Sequence, residues 1–416
     1  MSKARAGGMS AEEAGTGPKI GLALAGGGLE GAIYEIGALR ALDEALDGFN
    51  FNDAHIYVGV SAGAFLAACL ANNLTTAQMC RAIVSSEPGE HPFVAETFLT
   101  PAFSRVAGAA GSLPRLLFEA IQDYVARPSE KSFLGSLTRL ARSLPVGLFD
   151  NEPIHRYLER IWSIKGRTDD FRKLGKRLVV VATDLDSGQA VRFGEPGFDH
   201  VPISKAVQAS SALPGIYPPV EIEGRHLVDG VLIKTLHASV ALEAGADLVL
   251  CINPIVPVDT ARARGAGYEG HLNLMNWGLP TILSQTFRTL IHSRLEIGMA
   301  AYRTKFQNAD VVLFEPDRDD HRMFFTNIFG FSERRMVADH AYRATRRELA
   351  RRAPELGPQL AKHGITLRTD LLEDLDQGLW ESVGSGRHGR KGSTSDVADR
   401  LDSALDRLDA WMDAKN

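Results

Sequence analysis

AHIYVGVSAGAFLAACLAN, residues 54–72, joins an apolar run to a helix-forming run through GVSAG at residues 59–63. The first part is β-branched and aromatic, which is typical of a buried strand, and the last part is rich in Ala and Leu, which favour a helix. Glycines on both sides of Ser61 permit a sharp turn because they carry no Cβ. The stretch predicts a strand, a tight turn and a helix, with the Ser61 hydroxyl at the end of a sheet, as in a nucleophile elbow. A serine that merely caps a helix gives the same pattern, so the surrounding sequence has to decide.

A glycine-rich segment lies upstream, where the apolar run 19–25 (KIGLALA) ends in GGGLEG at residues 26–31. Apolar residues at helical spacing follow it, so it predicts another strand, loop and helix, with an anion at the helix N-terminus. The glycines satisfy G-x-G-x-x-G. Two anions are candidates: a dinucleotide pyrophosphate, or the oxyanion of an acyl-transfer intermediate held by the amides of Gly26, Gly27 and Gly28. A dinucleotide site needs an acidic residue at the end of the second strand. That strand ends in GVSAG instead, which favours the oxyanion.

Four segments, in chain order, carry a resemblance to the patatin-like phospholipases, the bacterial patatin family of lipid acyl hydrolases. They are AGGGLEG at residues 25–31, GVSAG at 59–63, ASSALPGIYPP at 209–219 and the Asp229-Gly230 pair. The resemblance covers roughly residues 19–254. It implies a catalytic centre of two residues, a Ser and an Asp without histidine, and an oxyanion hole formed by the glycine loop.

Position by position, the resemblance gives each motif an expected role. Ser61 is the expected nucleophile and Asp229 its general base, while the amides of Gly26, Gly27 and Gly28 are the expected oxyanion donors. The remaining motif glycines are expected to support the turns: Gly31, Gly59, Gly63 and Gly230. The turn at residues 210–215 (SSALPG) is expected to lie beside the elbow and to brace it. The implied reaction is hydrolysis of lipid carboxylic esters through an acyl-enzyme.

Two positions depart from the family's usual pattern. Glu30 stands where a basic residue is usual, and Val231 stands where Gly or Ala usually follows the Asp-Gly pair. Because Glu30 removes a positive charge that would help to hold a phosphate, the resemblance implies ester hydrolysis more directly than it implies a phospholipid head group. The same departures leave open a catalytically inactive protein of this fold that acts in binding or as a scaffold.

The catalytic acid has an alternative in the residues themselves. Asp229 ends a short apolar run, and ligands of open parallel sheets bind at the carboxyl ends of strands, although an Asp-Gly pair is also typical of an ordinary turn. Asp184 closes another apolar strand and is the best substitute. A Ser-His-Asp triad would combine Ser61 and Asp184 with His200 or His226.

The order of elements predicts a three-layer α/β/α sandwich with a mostly parallel central sheet of five or six strands. Residues 176–193 predict a hairpin, 202–213 and 234–244 predict helices, and two longer helices are predicted over 279–306 and 332–352. One more strand is predicted between those two helices, over 309–314. The predicted regions are a disordered lead-in (1–18), a catalytic domain (19–257) with a helical lid or insertion (91–151), an α-rich C-terminal extension packed on that domain (258–380), and a flexible linker with a short amphipathic helix (381–416).

Composition narrows the partners and the compartment. The chain has 416 residues, 44% of them hydrophobic, and its net charge of −5 comes from interspersed acids and bases, so no broad cationic field indicates nucleic-acid binding. Its three cysteines are too few for a disulfide framework and form no zinc-binding pattern, which fits a reducing, cytoplasmic compartment. No apolar run reaches transmembrane length. Any contact with a membrane is therefore expected to be peripheral, and no cofactor or metal is expected. The lipid ester expected as substrate is what the resemblance implies.

Overall fold

The computed structural model describes residues 17–85, 100–101, 146–260, 278–318, 320, 331–374 and 376–384. Several predictions lie outside these residues: nearly all of the lead-in 1–18, most of the insertion 91–151, and most of the linker and helix at 381–416. The chain divides into two units, Met1–Leu379 and Trp380–Asn416, and the second is described only at 380–384. The central sheet belongs to the first unit.

A mixed sheet organises the first unit. Within the described residues the strands are β1 (Ile20–Leu24), β2 (Leu46–Asp47), β3 (Ile56–Val60), β4 (Thr100–Pro101), β5 (Phe149–Asp150), β6 (Arg177–Asp184), β7 (Ala190–Phe193), β8 (Val220–Ile222), β9 (Arg225–Asp229), β10 (Leu248–Ile252), β11 (Asp310–Phe314) and β12 (Thr366–Leu367). Eight of them form one sheet in the order β11-β10-β1-β3-β6-β9-β8, with β7 paired to β6. Neighbours from β11 to β6 are parallel, whereas β7, β9 and β8 are added antiparallel.

The eight-stranded sheet is larger than the five or six strands predicted. The hairpin at 176–193 is confirmed as β6 and β7. β8, only three residues long, was not predicted, whereas β11 confirms the strand predicted over 309–314 in the C-terminal extension and pairs parallel with β10. The extension therefore contributes to the central sheet as well as packing on it.

Helices cover both faces of the sheet. Within the described residues the α-helices are α1 (Gly28–Ala45), α2 (Ala62–Ala71), α3 (Thr76–Met79), α4 (Glu152–Trp162), α5 (Ile203–Ser210), α6 (Ala238–Glu243), α7 (Gly278–Lys305), α8 (Phe331–Ala361), α9 (Thr369–Leu372) and α10 (Leu379–Gly384). The prediction for 279–306 is confirmed as α7, whereas α6 begins four residues later than predicted and α8 continues nine residues further. In the described ranges, no helix combines the length and apolar composition needed to cross a bilayer.

The burial of the strands explains the layered architecture. β1, β3 and β10 are buried along their whole length, as expected for parallel strands covered on both faces. Side chains that alternate along these strands, such as Ala23, Val58 and Val249, pack against Ala241 and Ile291 of α6 and α7. α1 and α2 cover the opposite face, and α8 packs on α1. The predicted α/β/α sandwich with a mostly parallel sheet is therefore the observed fold.

Candidate active site

The turn after β3 holds Ser61 in a backbone conformation that side chains rarely adopt. Its φ is 53° and its ψ is −123°, immediately before α2. Such a conformation costs roughly 1–3 kcal/mol and persists only where its surroundings fix it. Here the Ser61 N–H donates to the Ser210 Oγ at 2.8 Å, and that hydroxyl donates to the Val181 carbonyl at 2.6 Å. Ser210 thus supplies the brace that was expected of the 210–215 turn.

Glycines on both sides of Ser61 let the turn pass close to other backbone. A Cβ at Gly59 would lie 2.4 Å from the Cα of Ala64, and a Cβ at Gly63 would lie 2.4 Å from the Ala25 carbonyl oxygen. The Gly63 N–H donates to that same oxygen at 3.1 Å. Gly63 therefore joins the turn after β3 to the start of the glycine loop after β1.

The glycine loop lies beside Ser61 and carries two amides that have no acceptor in the described part of the chain. A Cβ on Gly26 would lie 3.1 Å from the Ser61 Cβ, so the loop passes directly beside the serine. The Gly26 N–H, however, donates to the Thr235 carbonyl at 3.3 Å, and Gly26 is therefore not available as the predicted oxyanion donor. Among the described residues nothing accepts from the N–H groups of Gly27 and Gly28, and both residues line one cavity with Ser61.

The two remaining motif glycines permit close packing at either end of the site. The Gly31 N–H donates to the Gly27 carbonyl at 3.0 Å, and a Cβ on Gly31 would lie 2.9 Å from the Pro254 ring. A Cβ on Gly230 would lie 2.3 Å from the Val181 carbonyl oxygen, so this residue rests directly on β6. Larger side chains at these positions would displace the backbone segments that carry the site.

Strand register explains how Asp229 reaches Ser61. Val60, the last residue of β3, pairs with Val181 of β6, and the next β6 residue, Ala182, pairs with Asp229 of β9. The residue after Val60 is therefore level with Asp229 across the sheet. β9 runs antiparallel to β6, so the position of Asp229 beside Ser61 follows from the register of that pairing. The prediction had relied instead on the rule that ligands bind at the carboxyl ends of parallel strands.

Asp229 is a buried carboxyl group with hydrogen bonds from two directions. Its Oδ1 accepts from the Val231 N–H at 2.9 Å, and its side chain also accepts from the Ser61 side chain. Burial raises the pKa of Asp229 to about 7, while these two hydrogen bonds oppose the rise. A carboxyl group with this pKa is able to take up a proton and return it near neutral pH.

Ser61 and Asp229 open into a cavity of about 340 Å³. This volume falls within the range of about 300–1,000 Å³ that is usual for small-molecule sites. Its wall is mostly apolar and comes from α1, α2, α4, α5, α7, the turns before α1 and α2, and the segments around β9 and after β10. The lining residues are Gly27, Gly28, Leu29, Ala32, Ser61, Ala62, Phe65, Ile154, Leu158, Val207, Ser211, Leu213, Ile216, Tyr217, Asp229, Val231, Ile255, Ser284, Phe287 and Arg288. Within this lining the charged side chains are Asp229 and Arg288, so the space suits an apolar chain attached to a polar reacting group.

The residues of the alternative triad do not meet Ser61. Asp184 accepts from Arg225 at 3.1 Å, and His226 contacts Asp186 at 3.0 Å through its Nδ1. The His200 side chain is about half exposed and pairs with Glu223. None of these groups lines the cavity. The geometry therefore brings Ser61 together with Asp229 and leaves Asp184 and both histidines elsewhere.

Sequence reasoning did not assign a role to Arg288, which contacts Glu30 across the cavity wall. The Arg288 Nη2 lies 3.8 Å from the Glu30 Oε2. Burial raises the pKa of Glu30 to about 7, opposed by the Arg288 charge, and burial lowers the pKa of Arg288. In the sequence, Arg288 is one of several basic residues interleaved in the amphipathic pattern of α7. That pattern does not indicate which residue contacts Arg288.

Glu35 was also missed. It lies in α1 with no exposed surface, and its Oε1 accepts from the Ala25 N–H at 2.9 Å, one residue before the glycine loop. Burial raises the pKa of Glu35 well above its ordinary value, against the effect of that hydrogen bond. A charged residue within a helical pattern does not by itself indicate this contact, because the contact depends on how α1 packs against the end of β1.

Comparison with curated sequences and solved structures gives partial matches. NTE family proteins of Mycobacterium bovis and Mycobacterium tuberculosis are each 36% identical over 73 residues, which make up 18% of this chain and 19% of each relative. The match thus spans less than a fifth of those relatives. The crystal structure of VipD from Legionella pneumophila matches at 15% identity and a TM-score of 0.33, covering 78% of this chain and 67% of that one. The type III effector ExoU matches at 14% identity and a TM-score of 0.31, covering 79% and 52%.

A sequence profile described as patatin-like phospholipase matches residues 22–242. The matched part is slightly more than half of the chain. It includes the glycine loop after β1, the turn at Ser61, the brace at Ser210 and the strand that carries Asp229. The chain belongs to the patatin-like phospholipase family.

Proposed function

We propose that this protein is a serine acyl hydrolase that cleaves carboxylic esters of lipids through a Ser61–Asp229 dyad. One observation carries the proposal: the Ser61 side chain donates to a buried carboxylate whose pKa is raised to about 7, and both groups open into a mostly apolar cavity. The amides of Gly27 and Gly28 lie in the same cavity wall and supply the oxyanion hole. Membership of the family supports the lipid part of the substrate.

The first half of the reaction forms an acyl-enzyme. Asp229 takes the Ser61 hydroxyl proton as the Ser61 Oγ bonds to the ester carbonyl carbon, and the carbonyl oxygen becomes an oxyanion that accepts from the Gly27 and Gly28 amides. The tetrahedral intermediate then collapses, its bond to the alkoxy oxygen breaks, and the leaving alcohol receives the proton held by Asp229. The acyl group remains on Ser61.

The second half repeats these roles with water as nucleophile. Asp229 takes a proton from water, the hydroxide oxygen bonds to the acyl carbon, and the same two amides hold the oxyanion. When the bond to the Ser61 Oγ breaks, Asp229 returns the proton to that oxygen, and a carboxylic acid leaves. No further protein base is needed, in agreement with the absence of histidine from the described cavity lining.

The proposal includes action in a reducing compartment on lipids at a membrane surface. All three cysteines are buried with free thiols. A cytoplasmic location with peripheral membrane contact is consistent with this chemistry.

Replacement of Ser61 tests the proposal. Ser61→Ala should reduce hydrolysis of a short-chain p-nitrophenyl ester by roughly 10³-fold or more and abolish covalent labelling by a fluorophosphonate. Ser163→Ala is the matched control, because Ser163 is exposed at the end of α4 and should keep both activities. Mass spectrometry of a lipid panel, with wild type against Ser61→Ala, would then identify which esters are cleaved. Wild-type turnover by pure, folded Ser61→Ala protein would refute the proposal.

A further inference from the structure

The Glu35 side chain joins the interior of α1 to the residue just before the glycine loop. Its Oε1 accepts from the Ala25 N–H at 2.9 Å, and that N–H also donates to the Ile252 carbonyl at 3.1 Å. Glu35 therefore makes the shorter of two hydrogen bonds to one donor. The bond to Ile252 continues the pairing of β1 with β10, whereas the bond to Glu35 comes from the helix that follows the loop. The end of β1 and the body of α1 are thus attached to each other across the glycine loop.

Ala25 is the residue at which the two glycine turns of the site meet. Its carbonyl oxygen accepts from the Gly63 N–H at 3.1 Å. The same peptide unit carries the Gly26 N–H, which donates to the Thr235 carbonyl at 3.3 Å. The next two N–H groups along the chain are the proposed oxyanion donors. A displacement of Ala25 would therefore move these donors relative to the nucleophile.

α1 is a rigid support for the contact with Ala25. Every residue of α1 from Gly31 to Leu39 is buried, and Glu35 has no exposed surface. Gly37, two residues after Glu35, packs so closely on α8 that a Cβ there would lie 2.3 Å from the Ala338 carbonyl oxygen. Because a helix enclosed in this way cannot shift without disturbing the core, Glu35 ties the loop to a fixed part of the fold.

The Glu35 carboxyl group is held in surroundings that favour its neutral form. Burial raises the pKa of Glu35 well above its ordinary value, and the hydrogen bond from Ala25 opposes this rise. The second oxygen, Oε2, is buried and has no hydrogen-bond partner among the described residues. A buried polar atom without a partner is unfavourable for stability, so packing alone does not explain a carboxyl group here. A neutral acceptor fixes the loop without adding a negative charge near the oxyanion that develops during the reaction.

From these contacts we propose that Glu35 is a positioning residue of the reaction, which holds the oxyanion loop beside Ser61 through its hydrogen bond from Ala25. Glu35 does not belong to the described lining of the cavity, so it acts on the substrate only through the loop. Its effect passes from Ala25 to the amides of Gly27 and Gly28, which hold the oxyanion. The inference rests on the proposed function, since it concerns the geometry of that reaction.

Removal of the acceptor tests this role on the reaction. Glu35→Met has a side chain of similar length that accepts no strong hydrogen bond. On a short-chain p-nitrophenyl ester its kcat should fall about 10–100-fold while KM changes less than about twofold, because the oxyanion donors act mainly in the transition state. Glu35→Gln keeps a neutral acceptor and should restore most of kcat. Unchanged kcat in Glu35→Met, or equal losses in both variants, would overturn the proposal.

An inhibitor reports on the oxyanion hole itself. An alkyl trifluoromethyl ketone forms a tetrahedral adduct with a serine nucleophile, and the oxygen of that adduct accepts from the oxyanion donors. Its inhibition constant should rise in Glu35→Met by about the factor by which kcat falls, and should recover in Glu35→Gln. An inhibition constant that stays at the wild-type value would show that the loop amides have not moved and would refute the role of Glu35.

Asn52→Leu is the control for a loss of stability without a loss of position. The Asn52 side chain is buried, and its Nδ2 donates to the carbonyls of Leu70 and Leu74 at 3.0 and 2.9 Å. These carbonyls lie at and just beyond the end of α2 that is remote from Ser61. The variant should lower the free energy of unfolding but retain kcat and the affinity for the ketone. A parallel fall of kcat in Asn52→Leu would assign the effect of Glu35→Met to general destabilisation and overturn the proposal.

Amide hydrogen exchange separates this inference from the proposed reaction, because it needs no substrate. Peptides that contain Ala25, Gly26 and Gly63 should exchange at least about tenfold faster in Glu35→Met than in the wild type or in Glu35→Gln. Unchanged exchange would refute the attachment of the loop by Glu35 even if Ser61-dependent hydrolysis is found. Faster exchange in a protein that hydrolyses no ester would refute the proposed function and support the attachment. If Glu35→Met does not fold, Glu35→Asp, which is one methylene shorter, carries the same comparison.

Discussion

The two glycine turns of the site, after β1 and after β3, have the same local design and offer the substrate different groups. Both follow buried parallel strands that pair with each other, and both lead directly into a helix. In the turn after β3, the Ser61 amide is paired with Ser210 and the side chain faces the cavity. In the loop after β1, there is no side chain to present, and the Gly27 and Gly28 amides are left without a described protein acceptor. Non-local partners therefore decide whether such a turn presents a side chain or its backbone.

The largest expected effect comes from separating the two turns. Gly63→Ala places a Cβ against backbone atoms of Leu24 and Ala25, at 2.4–2.5 Å, where neither element has a flexible end to move. We expect a loss of roughly 1–3 kcal/mol in the free energy of unfolding and a fall in kcat of about 10³-fold or more, because nucleophile and oxyanion loop shift apart. Chemical denaturation and ester hydrolysis measure the two effects. Gly357→Ala in α8, where a Cβ meets nothing within 4 Å, is the control and should be neutral or stabilising. Retention of normal kcat by Gly63→Ala would show that the two turns are not coupled.

Two neighbouring glycines sharpen the comparison within the loop itself. A Cβ at Gly27 would lie 2.7 Å from Pro254 and 2.8 Å from the Gly31 Cα, whereas a Cβ at Gly28 meets nothing within 4 Å. Gly27→Ala should therefore displace an oxyanion donor and lower kcat by about 10²–10³-fold.

Gly28→Ala is the matched variant. Gly28 has a φ of 61°, so alanine there should cost about 1–2 kcal/mol in unfolding free energy with a smaller loss of kcat. The two variants are compared by kcat on one ester and by unfolding in urea. Equal kcat losses would argue against a special position for the Gly27 amide.

The pH dependence of ester hydrolysis tests which group activates Ser61 in the turn after β3. Because Asp229 acts as a base only when ionised, and burial raises its pKa to about 7, kcat/KM should rise with pH through about 7 and fall about tenfold per unit below it. The pKa of Glu30 is also raised to about 7 by burial, so the pH profile is measured again with Glu30→Gln. This variant should keep the same fall of kcat/KM at acid pH. A flat profile between about pH 5 and 8 would exclude Asp229 as the general base.

The smallest expected effect tests the brace. Ser210→Ala leaves the Ser61 N–H and the Val181 carbonyl without their shared partner, which should cost about 1–3 kcal/mol of unfolding free energy. The kcat should fall by about tenfold because Ser61 is less well oriented. Ser204→Ala is the control: its buried hydroxyl on the same helix donates to Asp169 at 2.6 Å, so stability should fall while kcat is retained. Equal kcat values for the two variants would show that Ser210 contributes to stability but does not orient Ser61 for catalysis.

Local sequence pattern was sufficient for both glycine turns, the helices that follow them and most strands, because each depends on residues close together in the chain. The family resemblance identified Ser61 and Asp229 as candidate catalytic residues, and their side chains are in contact in the structure. The features that local sequence pattern did not predict depend on tertiary contacts. The pairing of the Gly26 amide with Thr235, the antiparallel direction of β9 and the approach of Arg288 to Glu30 all join segments distant in sequence. β8 was missed because three residues carry too little periodicity.

Glu35 ties proton uptake to formation of the glycine loop. Its carboxyl group is ionised in the unfolded chain at neutral pH, but complete burial favours the neutral form once α1 packs beside Ala25. The folded state therefore holds this proton to a higher pH than the unfolded chain does, so the contribution of Glu35 to the free energy of unfolding falls as pH rises above the unfolded pKa. The contact that anchors the start of the oxyanion loop is in this sense linked to proton binding inside a helix.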